Sequence, residues 1–434
     1  MLGTFARAFR TPDLRRKLLF TMMIMVLFRL GSYIPTPGID YSAVQSVSSS
    51  ASQNGFTGLV NLFSGGALMQ LSVFALGIMP YITASIIIQL LRVVIPRFDY
   101  LYKEGQSGQT KLTQYTRYLT LALAVLQSTV VITTARTGAL FGTTGSSEAS
   151  KIIPDHSVWV LFLMIVTMTA GTGVIMWMAE LITEHGVGNG MSLLIFTSII
   201  AKFPGSMGSI AGGTNGVANF IVVLIVFIAV IVLISFVEQS QRRIPVQYAK
   251  RMVGRRSYGG SSTYIPIKIN MSGVIPVIFA SSILTLPTMI AQFGNQTKGW
   301  SVWIGRNLTS SSWLYLVLYA LLTIFFAFFY TSITFNPDEV ADNMKKYGGF
   351  IPGIRAGRPT SEYLQYVITR ITTPGSLYLA IVALIPSILF IAINVTNNLP
   401  FGGTTLLIIV GVGLDTVKQI ESQLQQRHYE GFLR

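Results

Sequence analysis

The stretch from residue 67 to residue 95 constrains the fold more than any other part of the sequence, because it is apolar but too long for one simple membrane crossing. About 20 helical residues are enough to span a bilayer. Gly77 and Pro80 lie near the middle of the stretch, and both disfavour a continuous helix unless the proline falls in a first turn. The sequence therefore predicts a short half-helix before Gly77 and a full span after Pro80. Broken backbone is tolerated in a membrane only inside protein or along a wet cavity, so the stretch is predicted to face a path.

The composition is that of a membrane protein with many spans. Of the 434 residues, 51% are hydrophobic and only 11% are charged, whereas soluble proteins carry about 25% charged residues. Cysteine is absent, which excludes disulfides, iron–sulfur clusters and thiolate zinc sites. The three histidines, His156, His185 and His428, are far apart in the sequence. We therefore expect no metal and no cofactor.

Hydropathy predicts an all-α polytopic membrane protein with ten transmembrane helices. The predicted spans are about 18–36, 74–95, 115–135, 157–179, 189–203, 216–237, 271–293, 311–332, 371–393 and 404–420. A half-helix near 59–73 is expected to enter the membrane without crossing it. The chain then divides into an N-terminal half (18–203) and a C-terminal half (204–420) of five spans each, which we expect to be pseudo-symmetric and inverted, as in many transport folds.

The distribution of positive charge predicts the orientation in the membrane. Most of the 31 lysines and arginines fall in segments that alternate along the chain and therefore share one face of the membrane. Cytoplasmic segments collect lysine and arginine, so this face is predicted to be cytoplasmic. It comprises the N-terminus (1–17), the segment 92–117, the large loops 238–270 and 335–370, and the tail (421–434).

Motifs for catalysis or coupled transport are missing from the sequence. There is no GxxxxGK[ST], HExxH or GxSxG pattern, and we do not expect an enzyme. The residues Glu180, Glu238 and Asp415 lie at predicted cytoplasmic ends of spans, whereas coupled carriers usually place carboxylates at mid-membrane. A small-solute carrier and an intramembrane hydrolase remain as alternatives. The first lacks a polar midplane site, and the second lacks a nucleophile constellation.

Three further features have two possible interpretations. The loop 238–270 has seven basic residues and one acidic residue; it suits either lipid headgroups or an acidic partner such as ribosomal RNA.

Arg29 lies within the first span, where it is expected to snorkel or to cap carbonyls inside the bundle. Aliphatic residues spaced four apart at 78 and 82, and at 191 and 195, share helix faces. Such residues usually form core packing, but a ring of them makes a constriction that excludes water.

Several blocks of the sequence resemble the SecY family. The segments GGALMQLSVFALGIMPYITASIIIQL (65–90) and WMAELITEHGVGNGMSLLIF (177–196) resemble its two signatures. Further blocks similar to the family, in the family order, lie at 242–256, 269–283, 335–355 and 401–410. The resemblance covers essentially the whole chain. It implies a bacterial cytoplasmic-membrane channel that translocates unfolded secretory polypeptides and releases transmembrane segments laterally into the membrane.

The resemblance also implies roles for individual residues. The expected plug, which closes the external funnel, contains Val60, Asn61, Phe63, Ser64, Gly65, Gly66 and Leu68. The expected pore ring is Ile78, Ile82, Met191, Ile195, Ile278 and Ile408. The expected lateral gate, where spans two and three meet spans seven and eight, has the polar members Thr83, Gln89, Gln127, Ser281 and Ser282. Met191 departs from the isoleucine that is usual in the family, but methionine is also apolar and more flexible.

The implied partners dock on the basic loops. The residues expected to contact them are Arg242, Arg243, Lys250, Arg251, Arg255, Arg256 and Arg355. The resemblance implies SecE and SecG as companion subunits, and the SecA motor or the ribosome as the source of driving force. Signal peptides and nascent polypeptides are the implied substrates, and membrane lipids surround the channel.

Overall fold

The structure is a computed structural model and describes residues 9, 11–50, 61, 64–136, 139–141, 152–155, 157–211, 216–248, 251–253, 256–258, 262–293, 299–308, 312–392 and 403–430. Its helices of eight or more residues are α1 (Pro12–Gly31), α2 (Tyr41–Ser50), α3 (Met79–Val94), α4 (Pro96–Lys103), α5 (Gln106–Arg136), α6 (Val158–His185), α7 (Gly190–Ala211), α8 (Gly216–Gln239), α9 (Ile275–Phe293), α10 (Gly299–Asn307), α11 (Trp313–Thr334), α12 (Pro337–Lys346), α13 (Arg358–Ala392) and α14 (Gly403–Glu430). Its strands are β1 (Gln241–Tyr248), β2 (Arg251–Val253), β3 (Arg256–Tyr258), β4 (Ser262–Lys268) and β5 (Gly349–Phe350).

Each of the ten predicted spans contains a helix, and the all-α polytopic fold is confirmed. Among the described residues, five helices are long and apolar enough to cross a membrane, or six if the bent pair α3 and α4 counts as one span. Helices α7 and α9 contribute shorter apolar segments, Gly190–Gly205 and Ile275–Leu284. Short helices of this kind need neighbouring helices to satisfy their ends inside a membrane.

The contacts between these helices close into a ring. Going round it, α3 contacts α5, α5 contacts α6, α6 contacts α7, and α7 contacts α14. From there α14 contacts α13, α13 contacts α11, α11 contacts α9, and α9 contacts α3. Around this ring the two halves of the sequence meet where α7 contacts α14 and where α9 contacts α3 and α5.

The apolar stretch that breaks at Gly77 differs from the predicted half-helix. From Ser64 to Ile78 the chain is a series of turns rather than a helix. Leu71 and Gly77 have positive φ angles of 45° and 57°, a backbone conformation that a right-handed helix cannot include. The predicted start of a helix at Pro80 is confirmed, because α3 begins at Met79 and places the proline in its first turn. The positions 59, 60, 62 and 63 of the predicted half-helix lie outside the described residues.

Helix α3 ends at a sharp bend. Its axis and that of α4 differ by 102° across Ile95, and the next residue, Pro96, disfavours helical backbone at the residue before it. The carboxylate of Asp99 in α4 lies 2.7 Å from the Lys103 ammonium and 3.7 Å from the Arg92 guanidinium. The hydrogen bond from Lys103 lowers the pKa of Asp99. Helix α4 has no buried residue, so it lies on the surface at the end of the second span.

The two long basic loops form one body that the sequence did not predict. Strand β1 pairs antiparallel with β4, and β5 joins the other edge of β1 where Gln247 faces Phe350. Asn336 caps the start of α12, because its side chain accepts a hydrogen bond from the Asp338 backbone at 3.2 Å. A hydrophobic cluster joins the sheet to α12 and α13 through residues that include Ile244, Val246, Ile267, Met344 and Leu364. We call strands β1, β4 and β5 together with α12 the loop module.

Candidate functional site

The six residues of the predicted pore ring share one hydrophobic cluster. Ile78, Ile82, Ile195, Ile278 and Ile408 are buried within it, and Met191 is partly buried and packs against it. Ile78 lies in the turn before α3, and the others belong to α3, α7, α9 and α14, which are four members of the helix ring. The cluster also contains many ordinary core residues, so burial alone does not distinguish a constriction from packing.

Hydrogen bonds at the starts of α3 and α7 position three of these residues, Ile78, Ile82 and Met191. The Ile78 carbonyl accepts hydrogen bonds from the backbone of Tyr81 and Ile82, both at 3.1 Å, so Ile78 caps the helix that carries Ile82. The Asn189 side chain accepts hydrogen bonds from the backbone of Met191 at 3.0 Å and of Ser192 at 3.4 Å. Gly190 begins α7 next to the Ala179 carbonyl, where a Cβ would collide. The Asn189 cap and the close approach at Gly190 therefore place the start of α7 one residue before Met191.

The predicted plug residues lie in a compact buried turn. Asn61, Ser64 and Leu68 are each at most 1% exposed. The Asn61 carbonyl accepts from the Gly66 backbone at 2.8 Å and from the Ser64 hydroxyl at 3.3 Å. The Ser64 hydroxyl oxygen also accepts from the Leu68 backbone at 3.2 Å. These bonds satisfy polar groups internally, so the turn can sit in an apolar surrounding. Val60 and Phe63, which complete the predicted plug, lie outside the described residues.

The carboxylates of Glu238 and Asp415, which are predicted to lie at ends of spans, each contact a neighbouring side chain. Glu238, 7% exposed, accepts a hydrogen bond from the Asn270 amide at 2.5 Å, and its backbone carbonyl accepts from Lys418 at 3.2 Å. Asp415 lies 3.4 Å from the Lys268 ammonium. Glu238, Asn270, Asp415 and Lys268 line a cavity of about 290 Å³ that also includes Asn189 and Ser192 beside the start of α7. The pairing of Glu238 with Asn270 was not predicted from the sequence.

Comparison with known proteins decides the family. A family model described as SecY matches residues 72–417. The chain belongs to the SecY family. It is 61% identical over 442 residues to the protein translocase subunit SecY of Streptomyces scabiei and 62% identical over 439 residues to that of Streptomyces coelicolor, and each alignment covers 100% of both chains.

The SecY fold is also found among solved structures. A protein-conducting channel matches with a TM-score of 0.63 at 17% identity, covering 94% of this chain and 91% of that one. Sec61 in the canine ribosome–channel complex matches with a TM-score of 0.58 at 16% identity, with the same coverage of both chains. At these identities the match concerns the fold. Together with the family assignment, it means that the chain is a translocase channel subunit and not an enzyme.

The seam predicted to be a lateral gate brings together α9, α3 and α5, which are in contact. The buried hydroxyl of Thr83 donates to the Met79 carbonyl at 3.0 Å, and that of Ser281 donates to the Ile278 carbonyl at 2.8 Å. Ser282 is also buried, and Gln89 and Gln127 are half-buried. Because Thr83 and Ser281 bond within their own helices, these two hydroxyls do not tie the seam together.

The predicted docking residues of the SecY loops fall into two groups. Arg242 and Arg243 of β1 are exposed, and Arg243 lies over the Tyr264 ring at 4.8 Å. Arg355 is exposed, and its carbonyl accepts a hydrogen bond from the Thr360 hydroxyl at 2.8 Å. The backbones of β2 and β3, which carry Arg251 and Arg256, pair antiparallel. Lys250 and Arg255 lie outside the described residues.

Proposed function

We propose that this chain forms the polypeptide-conducting path of a Sec translocase in the bacterial cytoplasmic membrane. The observation that carries the proposal is the closed ring of helices, four of which contribute an aliphatic residue to one buried cluster. An aliphatic constriction resists ions because an ion that enters it loses its water without gaining a partner. The same constriction can widen around an unfolded chain of any composition, because it makes no specific hydrogen bonds. The pore ring is therefore Ile78, Ile82, Met191, Ile195, Ile278 and Ile408.

The plug and the gate complete this mechanism. The turn around Ser64–Leu68 blocks the path, and the seam of α9 with α3 and α5 opens toward lipid. A signal sequence or transmembrane segment of about 20 apolar residues gains free energy by leaving through that seam. The hydroxyls of Thr83 and Ser281, already bonded within their helices, let the seam part without leaving new unpaired groups.

The loop module is the surface on which driving partners act. Both termini and the loops 238–270 and 335–370 are cytoplasmic, as the positive-inside rule favours. The exposed arginines Arg242, Arg243 and Arg355 suit an acidic protein face or ribosomal RNA. The partners are the SecA motor or the ribosome, with SecE and SecG as companion subunits, and the canine Sec61 relative was solved in a ribosome–channel complex.

The test is reconstitution with SecE and SecG in lipid vesicles. With SecA, ATP and a secretory precursor, we expect the precursor to become protected from external protease. A precursor without its signal sequence is the control and stays accessible. Failure of the intact precursor to become protected, in vesicles whose channel complex is assembled, would overturn the proposed function.

A further inference from the structure

Arg29 of α1 reaches the backbone of the plug turn. Its Nη1 atom donates a hydrogen bond to the Gly65 carbonyl oxygen at 2.6 Å, and its Nη2 atom donates to the Tyr33 hydroxyl at 2.9 Å. The sequence interpretation of Arg29 as a residue that caps a carbonyl inside the bundle is confirmed. The carbonyl, however, belongs to a segment 36 positions away, and no local pattern in the sequence points to it.

Residues of α7 pack against the same turn. A Cβ at Gly65 would lie 3.2 Å from the Ser198 Cα and 3.0 Å from the Arg29 guanidinium. A Cβ at Gly66 would collide with the Lys202 side chain. Both glycines have positive φ angles, 65° and 96°, which residues with a side chain rarely adopt. The Gly65–Gly66 turn therefore packs closely against an arginine of α1 and a lysine of α7.

The chemistry of the two cations differs. The guanidinium is planar and always charged, and it binds two acceptors at once in a fixed geometry. Arg29 uses this geometry to join the Gly65 carbonyl to Tyr33. Lys202 contributes its long stem beside Gly66. The hydrogen bond from Arg29 is made to a backbone carbonyl, that of Gly65. Whether it forms therefore depends on where the Gly65–Gly66 turn lies, and not on the side chains of the plug.

We propose that Arg29, with Lys202 packed beside Gly66, is a latch that holds the plug turn in the closed channel. The plug leaves only when the bond from Arg29 to the Gly65 carbonyl breaks. This inference rests on the proposed function, because it assigns the turn to a plug. It adds two residues outside the plug that set how easily the plug is displaced.

The test uses the absence of cysteine in the chain. Ser64 is fully buried, so a single cysteine introduced as Ser64→Cys reports plug displacement through its rate of labelling by a membrane-impermeant maleimide added from the external side. In the reconstituted complex, we expect Arg29→Gln to speed this labelling about tenfold. That factor corresponds to about 1.4 kcal/mol, the scale of one hydrogen bond to a charged group. Arg29→Lys keeps the charge but loses the two-acceptor geometry, and its labelling rate should lie between the two.

The matched control is Arg16→Gln, the same substitution at an exposed position of the same helix, which should leave labelling unchanged. Resting ion conductance in planar bilayers is the second readout, and it should rise with Arg29→Gln. If Arg29→Gln prevents assembly, Arg29→Lys decides the question. The latch is overturned if the assembled variant translocates precursor normally and neither its labelling nor its conductance differs from the control. Loss of translocation in the unmodified chain would instead count against the proposed function.

Discussion

Arg117 of α5 and Glu180 of α6 form an ion pair with two parallel hydrogen bonds, from Nε to Oε1 at 2.9 Å and from Nη2 to Oε2 at 2.7 Å. The Glu180 side chain is 16% exposed and that of Arg117 is 42% exposed. Paired guanidinium and carboxylate groups of this geometry are among the stronger polar contacts in proteins. The pair joins two neighbouring helices of the ring at the end of a span.

Breaking that pair should loosen the ring. We expect Arg117→Gln and Glu180→Gln each to destabilise the complex by about 1–2 kcal/mol, because each leaves a partly buried charge without its partner. The measurement is the thermal midpoint in detergent. The double variant should be less destabilised than the sum of the single variants, since the two residues act on each other. Additive effects would show that the pair is not coupled.

Polar substitution in the pore ring should make the closed channel leak. Ile82→Ser and Ile195→Ser place hydroxyls where the proposed constriction excludes water, so resting ion conductance in planar bilayers should rise. The matched control is Ile234→Ser, a fully buried isoleucine of α8 in the same hydrophobic cluster. If the control leaks as much as the ring variants, the effect comes from core packing and the ring assignment is wrong.

Reversing the charge of Arg355 should abolish SecA-driven export. Arg355→Glu places a negative charge on the exposed turn that carries the proposed docking site, which repels an acidic partner face. The measurement is precursor protection in vesicles containing SecE and SecG. Arg358→Glu is the control, because Arg358 is exposed three positions away and pairs with Glu362 at 3.1 Å. Normal export by Arg355→Glu would remove that residue from the docking site.

The link between Glu238 and Asn270 should anchor the start of α9. The Asn270 amide also donates to the Gly273 carbonyl at 3.0 Å, so it ties the turn before α9 to the end of α8. We expect Asn270→Ala to lower the thermal midpoint, because the buried Glu238 carboxylate loses its donor at a cost of about 1–3 kcal/mol. Glu238→Gln retains an acceptor oxygen and should be milder than Glu238→Leu. Equal effects of the two Glu238 variants would contradict this account.

The features predicted from the sequence are those set by neighbouring residues. Hydropathy predicted ten segments that each contain a helix, and the proline rule predicted the start of α3. The pairing of Gln247 with Phe350 and the bond from Arg29 to Gly65 join distant segments. Nothing in a single sequence fixes such long-range partners. The sequence predicts a half-helix near 59–73, whereas the structure has turns from Ser64 to Ile78, because an apolar run records burial and not backbone conformation.

The role of each pore, gate and docking residue stays a prediction, for a related reason. Residues that line a constriction and residues that pack a core have the same types and spacing. Ile78 and Ile234 are both fully buried in one cluster, and only their places relative to the helix ring differ. The proposed function depends on which helices move apart. Neither the composition of the chain nor the burial of a residue shows that.

Helix α13 gives the loop module a mechanical connection to the channel. It is 35 residues long, about 50 Å at the rise of an α-helix, and its first turns pack in the module while later turns contact α11 and α14 of the ring. If partners act on the loop module as proposed, we expect their force to pass along this one continuous helix to α11 and α14. Pro374 and Pro386 lie inside it, and each removes a backbone hydrogen bond. Because helices bend most readily at proline, we expect α13 to bend at these two positions when the module moves.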